Sequence, residues 1–181
     1  MKGDRLEIKE DTLQVDKKPF SGFVDKDAVP LDFRFFGENL MIAVSDTGIT
    51  ALDENRNKKW TREFTPDKPY RVDAGSEKLI AYVTGGLKNN ISGESIAEIV
   101  DLTGKTTGTF RFPGTASHMD VSEDVVAVGS GNVVYFVSKL GKPLRDNFYP
   151  VKSIKKVCLL KNGSFAAVIY RDSFEIIKIE R

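Results

Sequence analysis

An apolar run centred on a small residue recurs four times along the chain: Met41-Ile42-Ala43-Val44, Leu79-Ile80-Ala81-Tyr82, Val125-Val126-Ala127-Val128 and Phe165-Ala166-Ala167-Val168. The central alanines stand 38, 46 and 40 residues apart. A period in this range belongs to repeat architectures. One made of short strands points to propeller blades, small sheets that cannot bury both faces alone. Most positions are therefore scaffold, and the small central residue permits neighbouring sheets to approach closely.

Between these runs, short segments rich in Val, Ile, Phe and Tyr alternate with clusters of Gly, Asn, Asp and Ser, and helical periodicity is almost absent. That is the pattern of successive antiparallel strands joined by tight turns. The fold class is all-β, with blades over about 31–67, 68–114, 115–152 and 153–181 as one propeller domain. The third blade is expected to end in an outer strand over 144–149, and the fourth stops short of one. Segments 5–8 and 12–15 read as extended pieces without a sheet of their own. Because an open sheet edge invites pairing, an N-terminal strand from 5–15 is expected to complete the fourth blade. At about 40 residues per blade the chain holds four blades and a fraction. Two arrangements stay open: a closed four-bladed ring, and an arc belonging to a larger ring.

A second regularity follows the third strand of each unit. Unit one has Ile49-Thr50-Ala51-Leu52-Asp53 and then Glu54-Asn55-Arg56-Asn57-Lys58-Lys59-Trp60; unit two has Ile99-Val100-Asp101-Leu102-Thr103-Gly104-Lys105; unit three has Phe136-Val137-Ser138-Lys139-Leu140-Gly141-Lys142. Locally, the Asp caps backbone N–H groups of the turn and Gly takes left-handed geometry. This resembles the blade motif of quinoprotein-like (PQQ-like) propellers, in which an apolar strand ends in Asp, a Gly turn follows and Trp opens the next strand. Arg56 stands for the glycine in unit one, Ser138 for the Asp in unit three, and only unit one has the Trp. The resemblance, which spans 31–181, implies a quinoprotein-like or WD40-like propeller, classes that include cofactor-dependent dehydrogenases, outer-membrane assembly factors and many scaffolds. A quinone site needs acidic and polar side chains converging on the ring axis around a metal. No cluster in the sequence matches one, so no cofactor is assigned.

Catalytic constellations fail on simple counts. One histidine, His118, excludes a His-rich metal site, and one cysteine, Cys158, excludes an internal disulfide. In Val157-Cys158-Leu159-Leu160 the thiol reads as a buried small hydrophobe. His118 and Asp120, two apart on a strand, share a face and form the one acid/base pair worth testing. Asp73 and Asp120 occupy equivalent places before their alanine strands and are expected to serve one structural role, bonding to a turn or lining the axis. With Asp32, Arg34, Arg71 and His118 they are the innermost polar candidates. Thr84-Gly85-Gly86-Leu87-Lys88 lacks the spacing of a phosphate-binding loop and reads as a turn, as does Gly129-Ser130-Gly131. The connection 85–94 is the longest between predicted strands and explains the interval of 46. Long loops carry binding determinants, which singles out Lys88, Asn89 and Asn90. Asn90-Ile91-Ser92 and Asn162-Gly163-Ser164 match the glycosylation sequon, which matters only in a secreted chain.

Charge is uneven although its sum is only +1. Residues 1–138 carry 17 basic and 22 acidic side chains, a net of −5, whereas 139–181 carry 10 and 4, a net of +6. Lys152, Lys155 and Lys156 stand out as contacts for an acidic partner. So weakly basic a total argues against nucleic acid, and no apolar run approaches the ~20 residues of a membrane-spanning helix. As written the chain reads as cytoplasmic; an excised extracytoplasmic domain would read the same way. The functional expectation is a non-catalytic propeller scaffold for protein–protein interaction, with protein partners, sister subunits or the remainder of a larger propeller as its contacts. The alternative is a ligand- or cofactor-binding quinoprotein-like propeller, a sensor or oxidoreductase with its site at the axis.

Overall fold

The computed structural model describes residues 6–9, 12–15, 18–19, 28–36, 39–64, 70–73, 78–88, 91–160 and 162–179. Their regular structure is entirely strand, and no helix among them is long and apolar enough to cross a membrane. The chain divides into two compact units, Met1–Pro69 and Tyr70–Arg181.

In the first unit, β1 (Leu6–Lys9), β2 (Thr12–Val15) and β3 (Lys18–Pro19) form a three-stranded antiparallel sheet. β4 (Pro30–Phe36), β5 (Leu40–Ser45), β6 (Gly48–Asp53) and β7 (Lys58–Glu63) form a four-stranded meander. The middle strands β5 and β6 are buried along nearly their whole length, which is why their sequence is a continuous apolar run and not an alternation. Met41, Ala43 and Leu52 pack with Ala28 and Phe33. The N-terminal segments, expected to lack a sheet of their own, have one: β1 pairs with β2 from Leu6↔Val15 to Lys9↔Thr12, and β3 adds at Gln14↔Pro19.

The second unit holds three sheets. β8 (Arg71–Asp73), β9 (Leu79–Lys88), β10 (Ile91–Asp101) and β11 (Thr106–Pro113) form the first, in the order β11-β10-β9-β8. β12 (Ala116–Ser122), β13 (Val125–Ser130) and β14 (Val133–Ser138) form the next. β15 (Lys156–Leu160), β16 (Phe165–Ile169) and β17 (Phe174–Lys178) form the last. These are consecutive blades stacked face on face. Leu79, Ala81, Val83, Ile99 and Phe112 of one sheet meet Val121, Val126, Val128, Tyr135 and Val137 of the next in a single core. Phe110, Phe112 and Tyr135 cluster there with ring centroids 5.3 to 5.9 Å apart. Val125, Ala127, Val134 and Phe136 then meet Val157, Ala166, Val168 and Ile177 in a second core. The inner strand β12 lies against both β8 and β15.

Two expectations are corrected here. The connection 85–94 is not a loop: β9 and β10 continue as a hairpin past their neighbours, pairing Ser92↔Leu87 and Ile91↔Lys88. Gly85, read as a turn residue, lies inside β9 at φ +83°, opposite a register shift between Ser92 and Ser95. A left-handed glycine lets a strand absorb a bulge instead of reversing. The outer strand expected at 144–149 is reduced to two isolated bridges, Val137↔Pro143 and Val134↔Phe148. Pro143 has no N–H to give a ladder, so pairing resumes only at Leu144 and Phe148, whose N–H groups donate to Phe136 and Val134 carbonyls at 2.9 and 3.0 Å.

Candidate functional site

The repeated turns are built alike. Asp53, Asp101 and Ser138 end β6, β10 and β14. In each turn the N–H three residues on donates back to that residue's carbonyl: Arg56, Gly104 and Gly141, at 3.0, 3.0 and 2.8 Å. Those three donors all have positive φ, 66°, 86° and 74°. The side chain caps the same two positions each time. Asp53 Oδ1 accepts from Asn55 and Asn57 N–H at 2.9 and 2.8 Å. Asp101 Oδ1 accepts from Thr103 and Lys105 N–H at 2.9 and 3.1 Å. Ser138 Oγ accepts from Leu140 and Lys142 N–H at 3.4 and 3.3 Å. The Asn57 N–H holds the Asp53 carboxyl below its ordinary value. Burial pushes Asp101 up, but bonds from Thr103 and Lys105 together outweigh it, and its carboxyl is also held low. The motif residues are thus engaged in turn geometry. The third turn has a further role. A Cβ on Gly108 would stand 2.3 Å from the Leu140 carbonyl carbon, so only glycine allows the turn to dock on β11. Thr107 Oγ1 donates to the Lys139 carbonyl at 2.8 Å across the same contact.

The equivalent aspartates bridge blades. Asp73 lies opposite Ala81 and Asp120 opposite Ala127, each on the face turned toward the following sheet. Val121 N–H on β12 donates to Asp73 Oδ2 at 3.0 Å. Leu159 N–H on β15 donates to Asp120 Oδ2 in the same manner. Each carboxylate thereby satisfies a backbone donor on the free edge of the next inner strand. Sequence symmetry could find the equivalence of the two residues; it could not find the partner, which comes from the next blade and not from a turn. The same register position is Phe33 in the first unit and Cys158 in the last blade.

His118 and Asp120 engage different partners in the following blade, His118 the Ile154 carbonyl ahead of β15 and Asp120 the Leu159 N–H on it. The imidazole lies against Gly129, where an added Cβ would stand 3.3 Å from His118 Cβ. Burial lowers its pKa; the Ile154 carbonyl, which accepts from the ring, opposes that, and the Arg71 charge adds to it. Beside it a depression of 520 Å³ is lined by Ser117, His118, Asn132, Lys152 and Ile154. Arg71 Nε donates to the Ala116 carbonyl at 3.2 Å. In the first unit Asp32 Oδ1 accepts from Phe33 N–H at 2.8 Å and stands 3.8 Å from Arg34 Nε. Of the basic candidates, Lys152 bonds Asp172 and Ser173 at 3.1 and 3.0 Å, while Lys155 and Lys156 are exposed at the start of β15. Lys88 ends β9, and Asn89 and Asn90 lie outside the described residues. Among the described residues no three His, Cys, Asp or Glu side chains come together as a metal site.

Sequence reasoning missed the surface of the last blade. Cys158, Leu160, Phe165, Ala167, Ile169, Phe174 and Ile176 share one face by strand alternation and register; Ala167 at its centre is buried, and the face is open along β17. Cys158 is accordingly half-buried there and not the core residue expected from its neighbours. Phe174 is 65% and Ile176 51% exposed. On the other side of β17, Leu144, Arg145, Phe148, Glu175, Ile177 and Lys178 line a groove of 910 Å³.

Solved structures similar to this chain are WD40 β-propellers. They include BBS1N in complex with ARL6DN (TM-score 0.65, 10% identity, 98% of this chain and 62% of that chain). They also include the Myceliophteria thermophila Cps50 (Swd1) beta-propeller domain (0.63, 9%, 97% and 63%) and Kluyveromyces lactis Hsv2p (0.61, 17%, 98% and 59%). At these identities the likeness shows the propeller fold alone, and the chain spans about three-fifths of the length of each of these structures. No curated protein matches. Residues 16–179 match a family described as a family of unknown function (DUF5711).

Proposed function

The chain belongs to DUF5711, and we propose that it is a non-catalytic β-propeller scaffold that presents blade surfaces to other proteins. The observation that carries this reading is the engagement of Asp73 and Asp120. The two carboxylates best placed on the inner strands accept backbone N–H groups from Val121 and Leu159, so their position is accounted for by bracing one blade against the next. What the described surface offers instead is an apolar sheet face flanked by Lys156 and Lys178. Apolar centres with charged rims suit protein contacts. A partner of complementary acidic rim fits the net charge of 139–181, and the chain reads as part of a larger propeller assembly.

The second reading is a small-ligand or quinoprotein-like cofactor site. The depression beside His118 favours it, because Ser117, Asn132 and Lys152 supply polar groups around a concave surface. A thermal-shift series with pyrroloquinoline quinone and calcium, run on the native chain and on His118→Ala, separates the two. The scaffold reading expects no shift in either. A saturable shift lost in His118→Ala would overturn it in favour of a ligand site.

A further inference from the structure

Three successive inner strands of the second unit carry a basic residue at one register position. Counted from the central alanine of each middle strand, Arg71 on β8 stands opposite Val83, two residues past Ala81. His118 on β12 stands opposite Gly129, two past Ala127, and Lys156 on β15 stands opposite Ile169, two past Ala167. The hydrogen bonds repeat with the register. Arg71 Nε donates to the Ala116 carbonyl, and Asp73 accepts from Val121 N–H five residues on. His118 donates to the Ile154 carbonyl, and Asp120 accepts from Leu159 N–H, again five residues on. Each basic group thus spends one nitrogen on the next blade and keeps the rest: the two Nη groups of Arg71 and the second ring nitrogen of His118. Among the described residues no carboxylate forms an ion pair with Arg71 or Lys156, and Asp172 stands on Lys152.

We propose that this row is the docking line for an acidic peptide segment of a partner protein, whose carboxylates meet Arg71, His118 and Lys156 in turn. The proposal rests on the scaffold reading and names the chemistry of its partner. β12 lies against both β8 and β15, so the three side chains are neighbours on adjacent strands. Stacked sheets stand about 10 Å apart, which makes the row roughly 20 Å long. A small anion answers one interval of it, whereas an extended chain advancing about 3.3 Å per residue answers both with about six residues. The depression of 520 Å³ beside His118 opens on the same line and adds Ser117, Asn132 and Lys152 as hydrogen-bonding groups. Val151, 99% exposed, lines it too. An exposed valine among cations suits a peptide with apolar side chains between its acidic ones. Binding is also coupled to protonation. The Arg71 charge opposes a proton on the imidazole, Lys152 shares the depression, and Asp120 and Asp172 are bonded elsewhere. A carboxylate brought between Arg71 and His118 offsets the first charge and favours a proton on the second ring nitrogen.

The test uses the full chain and a fluorescein-labelled octapeptide of alternating glutamate and valine, followed by fluorescence anisotropy at low salt. His118 is the sole histidine, so proton NMR reads its titration without overlap. Saturable binding is expected, with a rise in the His118 pKa in the bound state. Affinity is expected to fall about tenfold in Arg71→Gln. Because Arg71 also bonds the Ala116 carbonyl, the second variant is Lys156→Gln, at an exposed side chain, and it too is expected to weaken binding. Lys142→Gln removes the same charge from the same basic segment, past the end of β14 remote from Asn132, and is expected to leave affinity unchanged. No saturable binding, or an unmoved His118 pKa in the bound state, overturns the proposal. Equal losses in Lys142→Gln and Lys156→Gln would reduce the contact to attraction by net charge and overturn it as well. Inorganic phosphate that moves the His118 pKa as far as the peptide does, with Lys156→Gln without effect, would assign a small anion to the Arg71–His118 interval and remove the peptide as occupant. Each of these failures leaves the scaffold reading in place, since that reading falls on a saturable shift with pyrroloquinoline quinone.

Discussion

Two faces of the last blade can be set side by side: its contact with the third blade, and its other face, which is open along β17. The first is dry. Ala127 sits at its centre without exposure, Phe136 and Val134 fill the space around it, and Asp120 anchors Leu159 N–H at its inner margin. The second has the same register and the same central residue type, Ala167, yet Cys158 replaces the aspartate and Phe174 and Ile176 stand open. The repeat alone therefore does not make an interface. What distinguishes the two is the carboxylate of Asp120, which reaches forward to the Leu159 N–H, where the last blade has Cys158 at the same register position.

The sharpest way to break this comparison is to enlarge the central alanines. Ala127→Leu adds bulk to a closed core, and overpacking of this kind costs about 1–3 kcal/mol. Ala167→Leu adds it at a buried position whose cross-strand neighbour Ile176 stands open, and is expected to cost less. Equal losses in chemical denaturation would mean that the last face is closed as tightly as the first. The next effect comes from the aspartates. Asp120→Ala leaves Leu159 N–H without its acceptor at a partly buried site, a loss of about 1–2 kcal/mol, and Asp73→Ala does the same to Val121. Cys158→Ala, at the equivalent position, is expected to change little. Asparagine at either aspartate should recover part of the loss, since its carbonyl can still accept. A Cys158→Ala variant as unstable as Asp120→Ala would erase the distinction between the two faces.

The blades were legible because burial on both sides of a middle strand demands continuous apolar residues, and Met41 to Val44 or Val125 to Val128 can be little else. The turns were legible for a related reason: Asp53 and Asp101 combine a side-chain acceptor with a left-handed position three residues on, a local arrangement that sequence spacing records. Ser138 shows the arrangement surviving a change of residue, with its bonds lengthened to 3.3 and 3.4 Å. Partners beyond the local segment were not legible. That Asp73 serves Val121, 48 residues away, depends on how two sheets stack, and the alternation within each strand carries no record of it. Nor could Gly85 be told from a turn glycine, since a bulge and a reversal ask for the same left-handed φ.

The smallest expected effect concerns His118, whose ring reaches from β12 to the Ile154 carbonyl and so belongs to the covered side of the comparison. Burial sets its folded pKa below the ordinary 6.5, against the pull of Ile154 and with the help of the Arg71 charge. Between the lowered value and 6.5 the unfolded chain binds more protons than the folded one, so stability rises with pH across that window. Its contribution is complete above 6.5 and is lost as the pH falls through the folded value. His118→Asn removes the titrating group, and the slope of stability against pH just below 6.5 should flatten. The low carboxylates Asp53 and Asp101 act only further toward acid, where they likewise stabilise the fold until they are protonated. Denaturant midpoints measured from about pH 8 down to pH 5 would show the difference. A slope unchanged in His118→Asn would mean that burial and the Ile154 contact cancel, and stability that increases as the imidazole protonates would mean that the contact with Ile154 outweighs burial.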